Sequence, residues 1–340
     1  MAHSSLHLSV AALALAALAA PVFASEVNVY SSRHYDTDDA LYAAFTEETG
    51  IAVNRVEAKA DELIARLEAE GANSPADVLI TVDAGRMARA EDAGLLQAYD
   101  SATIEERIPD HFQHPDNLWY GIAQRARIIF YAKDRVENPP QTYEALADEA
   151  WNDKICIRSS SNIYNQSLMA SIIETHGEDV ATDWATGVLN NMAREPQGGD
   201  TDQLRGIVSG ECDVVVSNHY YFLRGFAKDV EGLTSGIDNI GWVWPNQEDR
   251  GTHVNLTTAA ITAHAPNAEN ALKLMEFLTS DAAQNNLSEG NHEYPAVEGA
   301  SGTSTTERLG EFKADDTTPT SVFSTNAAKA QEVFNAVGWN

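Results

Sequence analysis

Between residues 26 and 95, short β-like runs alternate with helical ones, and this alternation limits the possible folds more than any other feature of the chain. "EVNVYSS" alternates apolar and polar residues as a strand does, and "DTDDALYAAFTEETG" follows with Leu41, Ala44 and Phe45 at helical spacing and Gly50 as its stop. The cycle repeats with "IAVNRVEA" and the helix "ADELIARLEAEG", then with the buried strand "SPADVLITVD" and the helix "AGRMARAEDAGLL". Strands separated by helices of this length predict a largely parallel, doubly wound sheet. In such a sheet, ligands bind beyond the carboxyl ends of the strands.

A long extended segment, "LWYGIAQRARIIFYAKD" at residues 118–134, leads to the Pro139-Pro140 pair, and a second α/β run follows. It comprises the strand "KICIRSS", the helices "NQSLMASIIETHG" and "DTDQLRGIVSG", and the strand "CDVVVSN". "THVNLTTAAITAH" predicts another long strand, and "NAENALKLMEFLTSDAAQNNLSEG" one amphipathic helix carrying Leu272, Leu274, Met275 and Phe277. The Ser/Thr-rich residues 301–321 are expected to form a surface loop. Two similar lobes joined by two extended crossings make a hinged cleft. The expected limits are 25–125 with 250–300 for the first lobe and 126–249 with 301–340 for the second.

The 22 Lys and Arg against 51 Asp and Glu give a formal charge of -29, which repels nucleic acid and anionic lipid and favours cations or neutral partners. Residues 1–24 carry an apolar stretch from Leu6 to Ala20 and end in Val22-Phe23-Ala24, the small-x-small pattern of a signal peptidase site, so export to the periplasm with Ser25 or Glu26 as the mature start is expected. The stretch is short for a membrane span. Strong acidity on an exported chain fits a salty environment. The two cysteines, Cys156 and Cys212, lie in apolar β-like stretches; in an oxidising compartment they permit one disulfide, the alternative being two buried thiols.

"SNHYYFLRG" taken alone reads as an extended segment with Tyr220 in the core and Tyr221 wet, or the reverse. Two other stretches also place tyrosine just past a strand end: "YSSRHYDTD" with His34 and Tyr35, and "RSSSNIYNQS" with Tyr164. With "ADELIARLEAEGANSPADVLITVD", these motifs, in this order, resemble the periplasmic ferric-iron-binding proteins of ABC importers, including the cyanobacterial type, over nearly all of the chain after residue 24. The resemblance implies an α/β type II periplasmic-binding-protein fold with the ligand cleft between two doubly wound lobes. It further implies Fe3+ (Fe2+ being the alternative cargo) held by Tyr35 from the first lobe and Tyr164, Tyr220 and Tyr221 from the second. His34 is a candidate fifth ligand. Arg127 and Arg224 are candidates to lie behind the ligands, and the implied partner of a monomeric receptor is an inner-membrane ABC permease.

The chemistry agrees with this resemblance. Phenols ionise near pH 10, and a bound cation stabilises the deprotonated form, a hard anionic donor suited to a hard trivalent ion. Four phenolates around Fe3+ leave one excess negative charge, which a nearby guanidinium balances. Arg33 and Arg125 read as ordinary charges outside the site. Asp36, Asp38 and Asp39 lack the glycine and terminal glutamate of an EF-hand and read as helix-capping residues. His111, His114, His176, His219 and His264 have no HExxH spacing, and no GxSxG, Walker or GxGxxG motif is present, so no catalysis is expected. The competing readings are a receptor for an organic or oxyanion ligand, with tyrosines stacking on it, and a tyrosinate-iron enzyme with an open coordination position.

Overall fold

A computed structural model describes residues 25–33, 35–297, 299–300 and 304–340. The expected signal peptide, residues 1–24, and His34 lie outside the described residues. The strands are β1 (Glu26–Ser31), β2 (Ala52–Glu57), β3 (Val78–Val82), β4 (Leu96–Gln97), β5 (Trp119–Ala132), β6 (Ile155–Cys156), β7 (Val214–Asn218), β8 (Ile240–Val243), β9 (Val254–Thr262) and β10 (Tyr294–Pro295). The helices of the first half are α1 (Asp38–Thr49), α2 (Ala60–Glu70), α3 (Ala84–Asp92) and α4 (Ala102–Arg107). The remainder are α5 (Ile163–His176), α6 (Glu178–Asn190), α7 (Asp200–Ser209), α8 (His219–Ala227), α9 (Ala268–Leu278), α10 (Asp281–Asn291), α11 (Ser304–Glu307), α12 (Val322–Thr325) and α13 (Ala327–Val337).

Among the described residues the strands form one sheet in the order β2-β1-β3-β9-β5-β7-β6. β1 is parallel to both β2 and β3, so the order reverses at β1 and opens a crevice at its carboxyl end. β9 runs antiparallel between β3 and β5. β5 spans both halves: Trp119 to Ala126 pair with β9, and Arg127 to Tyr131 pair with β7. The chain recrosses before β9, where the Arg127 N–H donates to the His253 carbonyl at 3.1 Å. One core packs Val27, Val29, Leu41 and Phe45 with Val78 and Ile80. Another packs Leu168, Ile172, Trp184 and Val188 with Val214, Phe334 and Trp339.

Several local expectations are corrected. The single helix foreseen over 267–290 is two, because the Ser280 hydroxyl accepts from the Ala283 N–H and starts α10 afresh. Asp38 and Asp39 do not cap α1; Asp38 pairs with the Arg33 guanidinium and Asp39 with Arg55. "HYYFLRG" is not extended but forms the first turns of α8. Part of the loop expected at 301–321 is ordered: Leu309 is buried, and Ala314 bridges Thr252.

Cys156 and Cys212 face each other at bonding distance, with Cα atoms 5.7 Å apart, both at the edge where β6 meets β7. Gly206 of α7 packs so closely that an added Cβ would stand 2.6 Å from the Cys212 sulfur, so only glycine lets the helix reach the cysteine pair. A bridge across a separation of 56 residues removes enough unfolded-chain entropy to stabilise by about 4 kcal/mol. Exported protein denatured without reductant is expected to show no thiol reactive to labelling. Cys156→Ala with Cys212→Ala is expected to cost about 2–4 kcal/mol in denaturant melts.

Candidate functional site

Tyrosines from separate stretches meet where the carboxyl ends of β1, β6 and β7 converge. Tyr35 follows the end of β1, where the Ser32 hydroxyl accepts from the Val82 N–H at 3.0 Å and ties the ends of β1 and β3 together. Tyr164 sits in the first turn of α5, whose Asn162 side chain accepts from the Tyr164 N–H at 3.1 Å. Tyr220 and Tyr221 begin α8 with almost no loop after β7, and their ring centroids are 4.4 Å apart. The Tyr220 hydroxyl donates to that of Tyr164 at 3.2 Å and accepts from the Asn218 amide at 3.3 Å.

The centre of this cluster is a residue the sequence reading left outside the site. Arg125 donates from Nη2 to the Tyr35 hydroxyl at 3.0 Å and from Nη1 to that of Tyr164 at 3.4 Å. Its guanidinium carbon lies 4.5 Å from the Tyr220 ring centroid. Reading Arg125 as an ordinary charge is therefore corrected; it is 2% exposed and linked to phenols of separate chain segments. Arg33 is no surface charge either: 1% exposed, it pairs with Asp38 and Glu293 and lies 5.1 Å from the Tyr35 ring centroid. Arg224, one turn into α8, lies 5.0 to 5.3 Å from the ring centroids of Tyr35, Tyr220 and Tyr221.

Arg127 is placed one step further out. It donates to Asp200 at 2.9 Å, Asn165 at 2.6 Å and Asn218 at 3.1 Å, and so fixes the amide that donates to Tyr220. Arg158, which the sequence reading missed, pairs with Asp200 at 2.5 Å and lies 5.6 Å from the Tyr164 ring centroid. One signal was available. Arg125 and Arg127 are two apart on a strand, so their side chains leave the same face, and choosing one without the other had no geometric basis.

Charge sets the protonation order in the cluster. Burial works to raise the pKa of Tyr164, but Arg125 and hydrogen bonds from Tyr220 and Tyr221 outweigh it, and its phenol is easier to ionise than an ordinary tyrosine. Burial raises Tyr220 and Tyr221 well above the usual phenol range, and negative charge on their neighbours adds to this. Phenols with pKa values driven apart in this way share few negative charges on their own. A bound multivalent cation reverses that and releases protons.

The carboxyl end of β3 is tied to the same cluster. Asp83 holds φ 134°, a value L-residues rarely adopt. Its carboxylate accepts from the Gly85 N–H, the Asn255 amide and the Ser167 hydroxyl at 2.9 to 3.0 Å. The last of these fastens α5, and with it Tyr164, to the first half of the sheet.

A family model described as bacterial extracellular solute-binding protein matches residues 73–313. The chain belongs to that family. It is 46% identical over 315 residues to iron uptake protein A1 of Synechocystis, covering 92% of this chain and 87% of that one. It is 27% identical to the major ferric iron-binding protein of Neisseria meningitidis, covering 92% of this chain and 93% of that one. A solved Trichodesmium structure, FutA (IdiA) with iron and citrate, superposes with a TM-score of 0.90 at 47% identity and covers 93% of this chain and all of that one. The type II periplasmic-binding-protein fold follows from these solute-binding relatives together with the two-part sheet described above.

Buried histidines give this region a pH dependence of its own. His219, beside Tyr220, accepts at Nδ1 from the Ala126 N–H and donates from Nε2 to the His292 carbonyl. Burial lowers its pKa from 6.5 to about 4. His253, also buried, is lowered to about 3. Below pH 6.5 the unfolded chain takes up protons that the folded chain refuses, so stability is present near neutrality and is lost as pH falls from 6.5 toward 4. Denaturant melts at pH 7, 5.5 and 4 are expected to show a loss of about 3 kcal/mol from His219 alone. His219→Gln is expected to flatten that slope.

Proposed function

We propose that this protein is an exported receptor that captures ferric iron between its lobes with the phenolates of Tyr35, Tyr164, Tyr220 and Tyr221 and delivers it to an inner-membrane ABC permease. The observation that supports this most is Arg125, which donates to Tyr35 and Tyr164 and faces the ring of Tyr220, drawing phenols from three chain segments to one point. Four hard anionic oxygens fit a trivalent ion, and the charge left over, one negative, fits a single guanidinium such as Arg224. The names of the relatives, an iron uptake protein and a ferric iron-binding protein, support the same cargo.

In this reading no substrate is chemically converted; iron exchanges for the phenol protons on capture and the exchange reverses on release. The lobe limits we propose are 25–125 with 250–300 and 126–249 with 301–340, supported by the change of partner along β5 at Ala126 and Arg127. Closing the lobes brings Tyr35 to the other tyrosines, so iron stabilises the closed state by its greater affinity for it. Acid that protonates the phenolates, or reduction to Fe2+, favours release.

The test is a titration of apo-protein with ferric citrate, followed by visible absorbance and metal analysis, with thiamine, a polyamine and phosphate as comparison ligands. A coloured 1:1 iron complex from phenolate-to-iron charge transfer is expected. Tyr220→Phe with Tyr221→Phe is expected to lose more than the roughly 10–100-fold typical of residues behind the ligands. Unchanged iron affinity in that double variant would remove the site assignment, and tight binding of a comparison ligand without iron would replace the cargo.

A further inference from the structure

Glu293 is buried beside the proposed iron site and pairs with both Arg33 and Arg125. It is 1% exposed and lies between α10 and β10. β10 pairs with β5 so that Tyr294 faces Gln124 and Pro295 faces Ala123, which brings Glu293 opposite Arg125. Its Oε1 stands 2.8 Å from Arg125 Nε and accepts from the Thr257 hydroxyl at 3.0 Å. Its Oε2 accepts from Arg33 Nη1 at 2.6 Å. Arg33 in turn grips Asp38 through Nε and Nη2 at 2.9 and 3.0 Å, and the Asn291 amide donates to Asp38 at 3.1 Å.

Each nitrogen of Arg125 therefore has its own direction. Nε stands 2.8 Å from a Glu293 oxygen in an ion-pair contact without hydrogen-bond alignment, while Nη1 and Nη2 donate to the phenols of Tyr164 and Tyr35. A guanidinium is planar and rigid, so fixing one edge fixes the aim of the other. Arg33, Arg125, Asp38 and Glu293 also sum to zero charge, so this buried group is balanced before any iron arrives. That leaves the excess charge of a tetraphenolate ferric centre to Arg224 and to Arg127 and Arg158, which share the single carboxylate of Asp200 beside Tyr164.

We propose that Glu293 is a positioning residue for iron capture: its ion pair with the Nε edge holds Arg125 so that Nη2 and Nη1 reach the phenol oxygens of Tyr35 and Tyr164, and its other oxygen ties that placement to Arg33 beside Tyr35. This rests on the ferric reading above. Hydrogen bonds to a phenolate oxygen tune its donor strength, so a misaimed Arg125 changes the electronic character of the ligand as well as its place.

The test loads wild type, Glu293→Gln and Glu293→Asp with ferric citrate and reads two quantities that a purely structural role would not move. These are the energy of the visible charge-transfer band and the rate of iron loss to excess chelator. Glu293→Gln keeps the shape but not the charge, and is expected to shift the band and speed release by about 10–100-fold. Glu293→Asp, which restores the charge, is expected to recover part of both. Glu144→Gln, which disturbs a distant cluster with Arg250 and His176, is expected to change thermal stability and neither readout. Thr257→Val removes the hydroxyl that donates to Oε1 while leaving the charge, and is expected to speed release by about 3–10-fold.

Glu293→Gln with wild-type band and release rate overturns the proposal. If Glu293→Gln does not fold, Thr257→Val decides, and a wild-type release rate there overturns it equally. A wild-type protein that takes up no iron and shows no band instead overturns the ferric reading.

Discussion

The arrangement around the cleft depends on one buried cation. Arg125 has almost no contact with water, so its charge must be answered by protein groups, and those present are a carboxylate behind it and phenols in front. Burial opposes its charged form, yet the phenols and Glu293 hold its pKa well above the ordinary arginine value. Without it, Tyr35 and Tyr164 would lose their common donor, and Tyr164 the positive charge that outweighs its desolvation. The tyrosines meet because a charge at the middle of β5 draws them together.

The sheet makes that meeting possible. β1 reverses the strand order, so Tyr35 emerges into a crevice; α8 follows β7 almost directly, so Tyr220 and Tyr221 enter from the other side. β5 runs through both halves and carries Arg125 and Arg127 on one face at the crossing. Asp83, with a backbone conformation that costs on the order of 1–3 kcal/mol, is held by three donors, one of them on the helix that carries Tyr164. Strain tolerated at such a point belongs to placing a site rather than to filling a core.

Much of this was legible in the chain, and the rest was hidden for physical reasons. The βαβ rhythm of the first half is written in periodicity, which is a local property. Tyr35, Tyr164, Tyr220 and Tyr221 were legible because each follows an apolar run that ends as a strand, and because their motifs resemble a known family. Arg125 was not, since whether a guanidinium faces solvent or a phenol is decided by partners 39 and 90 residues away. Glu293 lies beside a two-residue strand too short to leave a pattern. Asp38 resembled a cap because acidic residues at a helix start usually are one; a buried Arg33 claimed it first. The break between α9 and α10 rests on a single serine inside an otherwise continuous apolar stripe.

Burying the arginines of the cleft with their carboxylates leaves an approaching solute to meet the acidic surface. Arg33, Arg125 and Arg127 are withdrawn from the surface together with their carboxylate partners Asp38, Glu293 and Asp200, so the excess of 51 acidic over 22 basic side chains stays on the outer face. In dilute solution that field draws hydrated metal cations inward and turns negatively charged iron chelates away. In brine, where electrostatic reach shrinks to about 3 Å at 1 M salt, the two forms of iron meet the cleft on nearly equal terms.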